Sequence, residues 1–591
     1  MAQVSHLDRR SFLQGAGAAA GVLAASAMTS AALADEAQVG NAAAAQAAAA
    51  ANQQVEDNSA WMDQLTSWRI KPEEPAEFAN TYEADVVVVG AGLAGINASR
   101  AAAEAGASVI TLEDGQTFEV HGFGVASLNP KMAEDQGLHN DPVEYFREFT
   151  RQHGMRVNDD LIRTWCDESG PAFDWWEEIL PPACDYDPNS EEYKTSYRSV
   201  LYWPSEPAEN FEGEQFKHFS GGIDFCYESF HYAGQCIVDK CLELGVDFHY
   251  ETAAYMLTQD ADGQVTGVIA QDKDGNYEKY VAKKGVILCG GDWSSNDDMV
   301  RWLLPEYVEF NQGKQATGCG RDGSGCQIGI MAGGHIEEGP RGATYSMQAG
   351  LAGPLGATAF LRLNARGQRY CNEGMYGAWG QGQAAARTPG NLLCAVWDAN
   401  WQDELTYQPP DHFNVDPNWG SFQGILDAMA AIEPGGEGEV PCQVWTPVGY
   451  PTYKVVCADT LDELADLVGY EGEAKENFLA SVERYNELCA AGDDVDYAKE
   501  AFLLHPVEQP PFYAYASGKY FGDLVVTLSG LRIDGNQQVL DSNYEAIPGL
   551  YACGNNSGGR FILNYSTTVT GLSLGIAQLQ GQVAGEYVAG L

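Results

Sequence analysis

The chain has 591 residues, a formal net charge of −50 at pH 7 and 45% hydrophobic residues, a composition typical of an acidic globular protein. A chain of this length is too long for one hydrophobic core, so we expect two domains or more. The excess of acidic groups repels phosphates, which argues against nucleic acid and anionic lipid surfaces as partners.

The first 34 residues have the features of an export signal. Arg9-Arg10 is followed by Ser-Phe-Leu-Gln, which matches the twin-arginine consensus, and an alanine- and glycine-rich run covers residues 15–33. The run is too weakly apolar for a stable membrane span, and Ala32-Leu33-Ala34 offers a cleavage site. We therefore expect cleavage and twin-arginine export to the periplasm or outer face of the cell envelope, with no integral span in the mature chain. Residues 35–81 predict a linker.

A strand–helix–strand unit is predicted directly after the linker, starting at Tyr82. Residues 86–89 are four consecutive valines, typical of a strand buried on both faces. The alanine-rich residues 95–106 predict a helix, and residues 108–112 predict a second strand. This order is that of a βαβ unit with parallel strands.

A glycine-rich motif joins the first strand to the helix, with the sequence Gly90-Ala91-Gly92-Leu93-Ala94-Gly95. Its first glycine makes the turn, the second lets the backbone approach a pyrophosphate, and the third lets the helix pack on the strand. Glu113 follows about twenty residues later at the end of the second strand, where a carboxylate can accept ribose hydroxyls. The combination predicts a dinucleotide site. Residues 318–323 match the same pattern without a preceding strand and are not interpreted as a second site.

Further strands are predicted along the chain. Residues 265–269 and 277–281 predict a hairpin, and residues 286–289 predict another buried strand before Gly290-Gly291. Residues 340–517 lack this succession of predicted strands and are assigned to a second domain. The nucleotide-binding fold is expected to resume near Lys519.

These motifs together resemble the fumarate reductase/succinate dehydrogenase flavoprotein superfamily, which also includes 3-ketosteroid dehydrogenases. The resemblance implies an α/β fold in which a Rossmann-like FAD-binding domain, in two segments (82–338 and 518–591), is interrupted by an α+β capping domain (339–517). The segments that carry the resemblance are residues 90–95, 112–115, 285–291, 363–373 and 549–554.

The resemblance also implies where FAD lies. Asn555, Ser573 and Leu574 are placed along the ribityl chain and the isoalloxazine ring, and Asp114 and Asp322 are added to the cofactor residues. Asn555 stands where the family usually has Glu. His121 is one residue out of register with the histidine that attaches FAD covalently in some members, so non-covalent FAD is expected.

Electrons are expected to come from outside the chain. Because no second dinucleotide fingerprint is present, we expect a membrane-linked or cytochrome-type donor, or a small redox carrier, rather than NAD(P)H. The fourteen cysteines show no CxxC or CxxCH spacing, so we predict no haem and no metal site. Most of them are interpreted as small buried apolar residues.

The residues that bind a dicarboxylate in fumarate reductases are replaced here. By motif alignment, Val526 stands in place of one histidine and Tyr565 in place of an arginine, while the second arginine falls near Tyr376 and the second histidine near Tyr345. Burying a dicarboxylate without guanidinium partners would cost roughly several kcal/mol of binding free energy, because its charges would lose water without gaining a partner. Fumarate and succinate are therefore disfavoured as substrates.

The three tyrosines predict reduction of a C=C bond conjugated to a carbonyl in a neutral, hydrophobic substrate such as an enone, unsaturated lactone or enoate, including steroid-like compounds. Tyr565 is the expected carbonyl donor, and Tyr376 or Tyr345 the proton donor, with Arg387 as the alternative acid. Two alternatives remain open, namely a ketosteroid-type dehydrogenase running the reverse desaturation and a substrate-free electron carrier. An aromatic acid would require Arg362, Arg366 or Arg387 to reach the pocket.

Overall fold

The computed structural model describes much of the chain after the predicted signal and linker. The described residues are 67–591 except 123, 185–190, 197–220, 226, 306, 308–320, 340, 346–352, 357, 375–387, 389–391, 408–414, 416–421, 443–451, 519–523, 562–564, 566–568 and 570. The predicted signal peptide, Tyr376 and Arg387 therefore lie outside the described residues.

Strands and helices alternate through the first half of the chain and again at its end. The strands are β1 (Asn80–Val89), β2 (Val109–Leu112), β3 (Gly124–Ala126), β4 (Gly222–Asp224), β5 (Asp247–His249), β6 (Thr252–Gln259), β7 (Val265–Asp272), β8 (Tyr277–Leu288), β9 (Ala343–Tyr345), β10 (Leu361–Leu363), β11 (Leu392–Trp397), β12 (Gly436–Pro441), β13 (Thr452–Ala458), β14 (Phe512–Gly518), β15 (Leu524–Thr527), β16 (Gln538–Leu540) and β17 (Ala546–Ala552). The helices are α1 (Leu93–Glu104), α2 (Lys131–Asp135), α3 (Pro142–Gln152), α4 (Asp159–Glu177), α5 (Glu191–Lys194), α6 (Tyr227–Glu243), α7 (Asp297–Leu303), α8 (Ser324–Met331), α9 (Trp401–Glu404), α10 (Phe422–Ala430), α11 (Leu461–Val468), α12 (Glu473–Ala491) and α13 (Leu572–Gly590). Short 3-10 turns lie at Ser67–Arg69, Leu405–Tyr407, Ala501–Leu503 and Gly554–Asn556.

The first sheet has eight strands, ordered β16-β17-β8-β1-β2-β5, with β7 paired to β8 and β6 paired to β7. Its centre is parallel, since β1 pairs in parallel with both β2 and β8, and β17 and β5 extend the parallel order. The predicted βαβ unit is confirmed as β1–α1–β2. The sheet combines strands from before residue 289 with strands from after residue 537, so it is built from two distant parts of the chain.

Strand β8 corrects one expectation. Residues 277–281 and 286–289 are predicted as two strands, whereas β8 runs unbroken from Tyr277 to Leu288. One edge pairs with β1 along its length, while the other pairs first with β7 and then with β17. Gly285 lies between the two halves, and a Cβ there would come within 2.8 Å of the Tyr551 ring. Gly285 is thus a point of close packing inside one strand.

Helices α1 and α13 pack closely against each other beside this sheet. Both are rich in small residues, and a Cβ added at Gly581 of α13 would stand 2.2 Å from the Ala94 carbonyl oxygen. A Cβ at Gly585 would stand 2.4 Å from the Ala98 carbonyl oxygen. The final helix of the chain is thereby held against the helix that follows the glycine motif, and its first turn is fixed beside that motif.

The second sheet is antiparallel, ordered β10-β11-β14-β13-β12, and its strands all come from residues 361–518. Helices α11 and α12 cover it through buried residues such as Leu464, Phe478 and Val482. Beside it Arg369 forms buried ion pairs with Glu373 and Asp494, each at 2.7 Å. The α/β class is confirmed, with an antiparallel sheet inserted into the sequence of a parallel one. The domain boundaries at 338/339 and 517/518 stay predictions.

Within the described residues, no helix combines the length and the apolar character needed to cross a bilayer.

Candidate functional site

A cavity of about 370 Å³ opens where β1, β2, β8 and β17 end. In a parallel sheet these carboxyl ends are the place where ligands bind. The predicted cofactor residues that line the cavity are Gly90, Gly92, Leu93, Ala94, Glu113, Asp114, Asp322, Asn555, Ser573 and Leu574.

The three motif glycines occupy three different environments. Gly90 has φ +99°, and a Cβ there would lie 2.5 Å from the Cys289 carbonyl oxygen. Gly92 faces the cavity, and the nearest protein atom to an added Cβ would be 3.7 Å away. Gly95 is not among the lining residues, since a Cβ there would lie 1.8 Å from the Gly90 carbonyl oxygen. Gly95 therefore serves the packing of α1 on β1, while Gly92 leaves room for a ligand.

Glu113 ends β2 with its carboxylate turned toward the glycine motif. Its Oε2 accepts the Ala91 N–H at 2.7 Å and its Oε1 accepts the Gly115 N–H at 2.9 Å. Burial raises the pKa of Glu113 to about 7, although both N–H donors act to lower it. The carboxylate oxygens retain lone pairs for further donors, as a ribose requires.

The opposite wall is formed by the Gly554–Asn556 turn and the first turn of α13. Ser573 Oγ lies 3.3 Å from Asn555 Oδ1 and links these two segments. Leu574 packs against Gly122, where an added Cβ would lie 2.6 Å from Leu574 Cδ1. A long helix thus begins at the cavity, with its N–H groups and positive dipole end nearby.

Asp292 follows β8, lines the cavity and is buried. Its carboxylate accepts the backbone N–H groups of Thr527 at 2.6 Å, Arg321 at 3.0 Å and Ser294 at 3.1 Å. Burial raises the pKa of Asp292, and these N–H groups oppose the rise. The carboxylate joins β8, the segment before α8 and the end of β15.

The basic side chains among the described lining residues are Arg321 and His121. Arg321 Nη2 donates to Glu119 Oε2 at 2.8 Å, and His121 Nε2 lies 3.4 Å from Glu119 Oε1. Both lie at the rim and face the same carboxylate. Neither supplies an unshared cation for a dicarboxylate.

The structure places the predicted catalytic residues as follows. Val526 lines the cavity, and β15, which carries it, pairs with β9, so that Tyr345 lies opposite Leu524. The hydroxyl oxygen of Tyr565 accepts the Ser573 N–H at 3.2 Å. Tyr565 does not itself line the cavity but contacts a residue that does. Tyr376 falls outside the described residues.

Sequence reasoning missed a buried arginine at this site. Arg560 is fully buried, and it donates through Nε to the Ser557 carbonyl and through Nη1 to Ser573 Oγ, each at 3.2 Å. Burial lowers the pKa of Arg560 to about 10, against the carboxylates of Glu337 and Asp292. Two glycines before Arg560 hinted at a close approach, but no local pattern marked the arginine itself.

Other residues named from the sequence lie elsewhere. Arg362 is buried in the region of the second sheet and donates to the Thr358 carbonyl at 2.8 Å. Arg366 lies in the turn after β10, and neither arginine lines the cavity.

A sheet with a parallel centre, a glycine turn before a helix and an acid after the second strand define the class of dinucleotide-binding proteins. A family model described as an FAD binding domain matches residues 85–566, and the chain belongs to that family.

Relatives with known reactions match along most of their length. The chain is 23% identical over 527 residues to the vinyl phenol reductase of Lactiplantibacillus plantarum, covering 85% of this chain and 96% of that protein. It is 25% identical over 579 residues to the digoxin reductase of Eggerthella lenta, covering 88% of this chain and 89% of that protein. The crystal structure of 3-ketosteroid-Δ4-(5α)-dehydrogenase from Rhodococcus jostii RHA1, in complex with 4-androstene-3,17-dione, has a TM-score of 0.62 at 22% identity and covers 88% of this chain and 100% of that chain. That likeness establishes the fold.

The cavity residues fit FAD. Gly92 leaves open space at the start of α1, where N–H groups can meet a pyrophosphate, and Glu113 presents acceptors for a ribose. The chain is an FAD-dependent oxidoreductase that acts on C=C or CH–CH bonds.

Proposed function

We propose that this chain reduces a C=C bond conjugated to a carbonyl in a largely neutral, hydrophobic substrate such as an enone, unsaturated lactone or enoate. The observation that carries the proposal is Val526, an apolar residue on the cavity wall where the resemblance places a histidine. The rim side chains Arg321 and His121, which share Glu119, do not replace it.

In the proposed reaction, FAD when bound supplies the hydride for the β-carbon. Tyr565 donates a hydrogen bond toward the carbonyl oxygen, where negative charge develops as the hydride arrives. A second tyrosine, Tyr345 or Tyr376, supplies the proton for the α-carbon. Hydride and proton together add two hydrogens across the double bond.

Relatives of the chain include reductases of a vinyl phenol, digoxin, urocanate and fumarate, which supports reduction of a C=C bond. Among these four substrates, digoxin, an uncharged unsaturated lactone, belongs to the proposed class. The reverse desaturation of a saturated ketone is the second candidate, because a chain of the same fold holds 4-androstene-3,17-dione.

The test is anaerobic. Holoprotein reduced with viologen is mixed with fumarate, urocanate, a vinyl phenol, a cinnamate, digoxin and 4-androstene-3,17-dione, and flavin reoxidation is followed by absorbance. Fast reoxidation by a neutral carbonyl compound with fumarate inert is the expected result. Rapid reoxidation by fumarate would overturn the assignment, since a dicarboxylate site would then exist. Reduction of oxidised flavin by a saturated ketone would favour the desaturase.

We further propose that the enzyme works outside the cytoplasm and receives electrons from a membrane-linked or cytochrome-type donor. Support comes from Arg9-Arg10 and the cleavage sequence at residues 32–34. Changing both arginines to lysine should retain the protein, with its FAD, in the cytoplasm. Normal export of that double variant would contradict the route.

A further inference from the structure

Arg560 is fully buried, and its hydrogen-bond donors are only partly used. Nε and Nη1 have acceptors, whereas buried Nη2 has no hydrogen-bond partner among the described residues. An unmet buried donor costs about 1–3 kcal/mol, so a purely structural arginine would be expected to satisfy it.

The contacts of Arg560 lead toward Tyr565. Nη1 donates to Ser573 Oγ at 3.2 Å, and the backbone N–H of the same serine donates to the Tyr565 hydroxyl oxygen at 3.2 Å. Ser573 lies in the first turn of the 19-residue helix α13. Ser573 therefore accepts a hydrogen bond from Arg560 through its side chain and donates one to Tyr565 through its backbone N–H.

The charges around this pair come from several segments. Glu337, before β9, accepts the Gly559 N–H at 2.6 Å, and burial raises the pKa of Glu337 to about 7 while Arg560 and Arg341 oppose the rise. Asp292 after β8 and Cys326 on α8 also face Arg560. Burial raises the pKa of Tyr565, and the N–H groups of Ser573 and Leu572 and the charge of Arg560 act against it.

We propose that Arg560 is a positioning residue for Tyr565, holding the first turn of α13 against the tyrosine hydroxyl through Ser573 and stabilising the negative charge that the phenol oxygen gains as it donates toward the substrate. The inference rests on the proposed role of Tyr565 in the reaction.

The electrostatic part is tested without a substrate. Full-length FAD-loaded protein is labelled with [¹³Cζ]tyrosine, the Tyr565 signal is identified by its loss in Tyr565→Phe, and its titration is followed in Arg560→Gln and Arg560→Lys. We expect the Tyr565 pKa to rise by about one unit or more in the glutamine variant and by less in the lysine variant. Arg100→Lys, another fully buried arginine, is the matched control and should leave the titration unchanged.

The catalytic part uses the pH profile. With whichever compound reoxidises the flavin, Arg560→Gln should slow reoxidation about tenfold to a hundredfold and move the alkaline limb upward with the Tyr565 titration. If the glutamine variant does not retain FAD, Glu337→Gln tests the same relationship in reverse, since it leaves Arg560 less compensated and should lower the Tyr565 pKa.

An unchanged Tyr565 titration in FAD-loaded Arg560→Gln, or in Glu337→Gln, would overturn the inference. That failure differs from failure of the proposed function. If no conjugated carbonyl compound reoxidises the flavin, the proposed substrate class is wrong, while the titration still decides whether Arg560 acts on Tyr565.

Discussion

Glu113 Oε2 accepts the backbone N–H of Ala91 at 2.7 Å, so the acid that follows β2 is hydrogen-bonded to the glycine turn that follows β1. The same carboxylate accepts the Gly115 N–H through its other oxygen. The glycine turn and the segment that follows β2 are thus joined through one ionisable group. Its protonation state should therefore govern how well the site holds FAD.

FAD binding should weaken as the pH falls through about 7. Burial raises the pKa of Glu113 to about 7 in the ligand-free chain, and ribose hydroxyls donate to the carboxylate form, so binding favours the ionised state. Equilibrium dialysis with flavin fluorescence between pH 5.5 and 8.5 would measure the change. Glu113→Gln should bind more weakly at pH 8 and lose this pH dependence; an equally steep dependence in the glutamine variant would contradict the assignment.

Two alanine substitutions in the glycine motif should separate folding from cofactor binding. Gly95→Ala places a Cβ 1.8 Å from the Gly90 carbonyl oxygen, so it should lower the free energy of unfolding of the FAD-free protein by about 1–3 kcal/mol. Gly92→Ala meets no protein atom closer than 3.7 Å and should leave that stability nearly unchanged while weakening FAD binding. Urea unfolding of the FAD-free proteins and flavin titration distinguish the two effects. Equal destabilisation by both substitutions would show that Gly92 also serves packing.

Bound FAD should protect two cysteines from alkylation. Cys289 and Cys553 follow neighbouring strands β8 and β17 and line the cavity. Removing FAD should increase their modification by N-ethylmaleimide several-fold, as measured by peptide mass spectrometry. Cys394, buried beside the second sheet, is the internal control and should not respond. Unchanged labelling of all three would place FAD elsewhere.

The buried ion pairs of Arg369 should contribute more to stability than an exposed pair nearby. Asp494→Asn leaves Arg369 buried without one of its two carboxylate partners, which should lower the free energy of unfolding by about 3–5 kcal/mol. Arg484→Gln breaks the exposed pair with Asp496 and should destabilise the protein far less, because solvent screens that pair. Chemical unfolding, followed by tryptophan fluorescence, compares the two.

The Arg369–Asp494 ion pair also predicts that the free energy of unfolding falls in acid. Burial alone would raise the pKa of Asp494, but Arg369 and the N–H groups of Lys499 and Tyr497 lower it to about 2. The folded value is therefore below the unfolded value of about 4, so the stabilisation is present above pH 4 and is lost as the pH falls toward 2. Unfolding titrations of wild type and Asp494→Asn should converge over this range.

That the residues of the glycine motif and Glu113 line one cavity was largely predictable, because their signals are local. Strand, turn, helix and acid follow one another over residues 86–113, and the resemblance carried Asn555, Ser573 and Leu574 to the same cavity. Arg560 was not predictable, since its role depends on Ser573 in a different element and on Glu337 more than two hundred residues earlier. The continuity of β8 was missed for a related reason, because its two halves pair along one edge with β7 and then with β17, which lie far apart in the sequence.

Asp292 has a consequence for how this architecture can change. It follows β8, ahead of the antiparallel sheet in the sequence, and its carboxylate accepts the N–H of Thr527, which follows that sheet. The parts of the chain before and after the antiparallel sheet are therefore joined by a hydrogen bond that uses no residue of that sheet. Such a frame can accept a different insertion without rebuilding its nucleotide site, so new substrate preferences can arise by exchange of a whole segment as well as by gradual substitution within it.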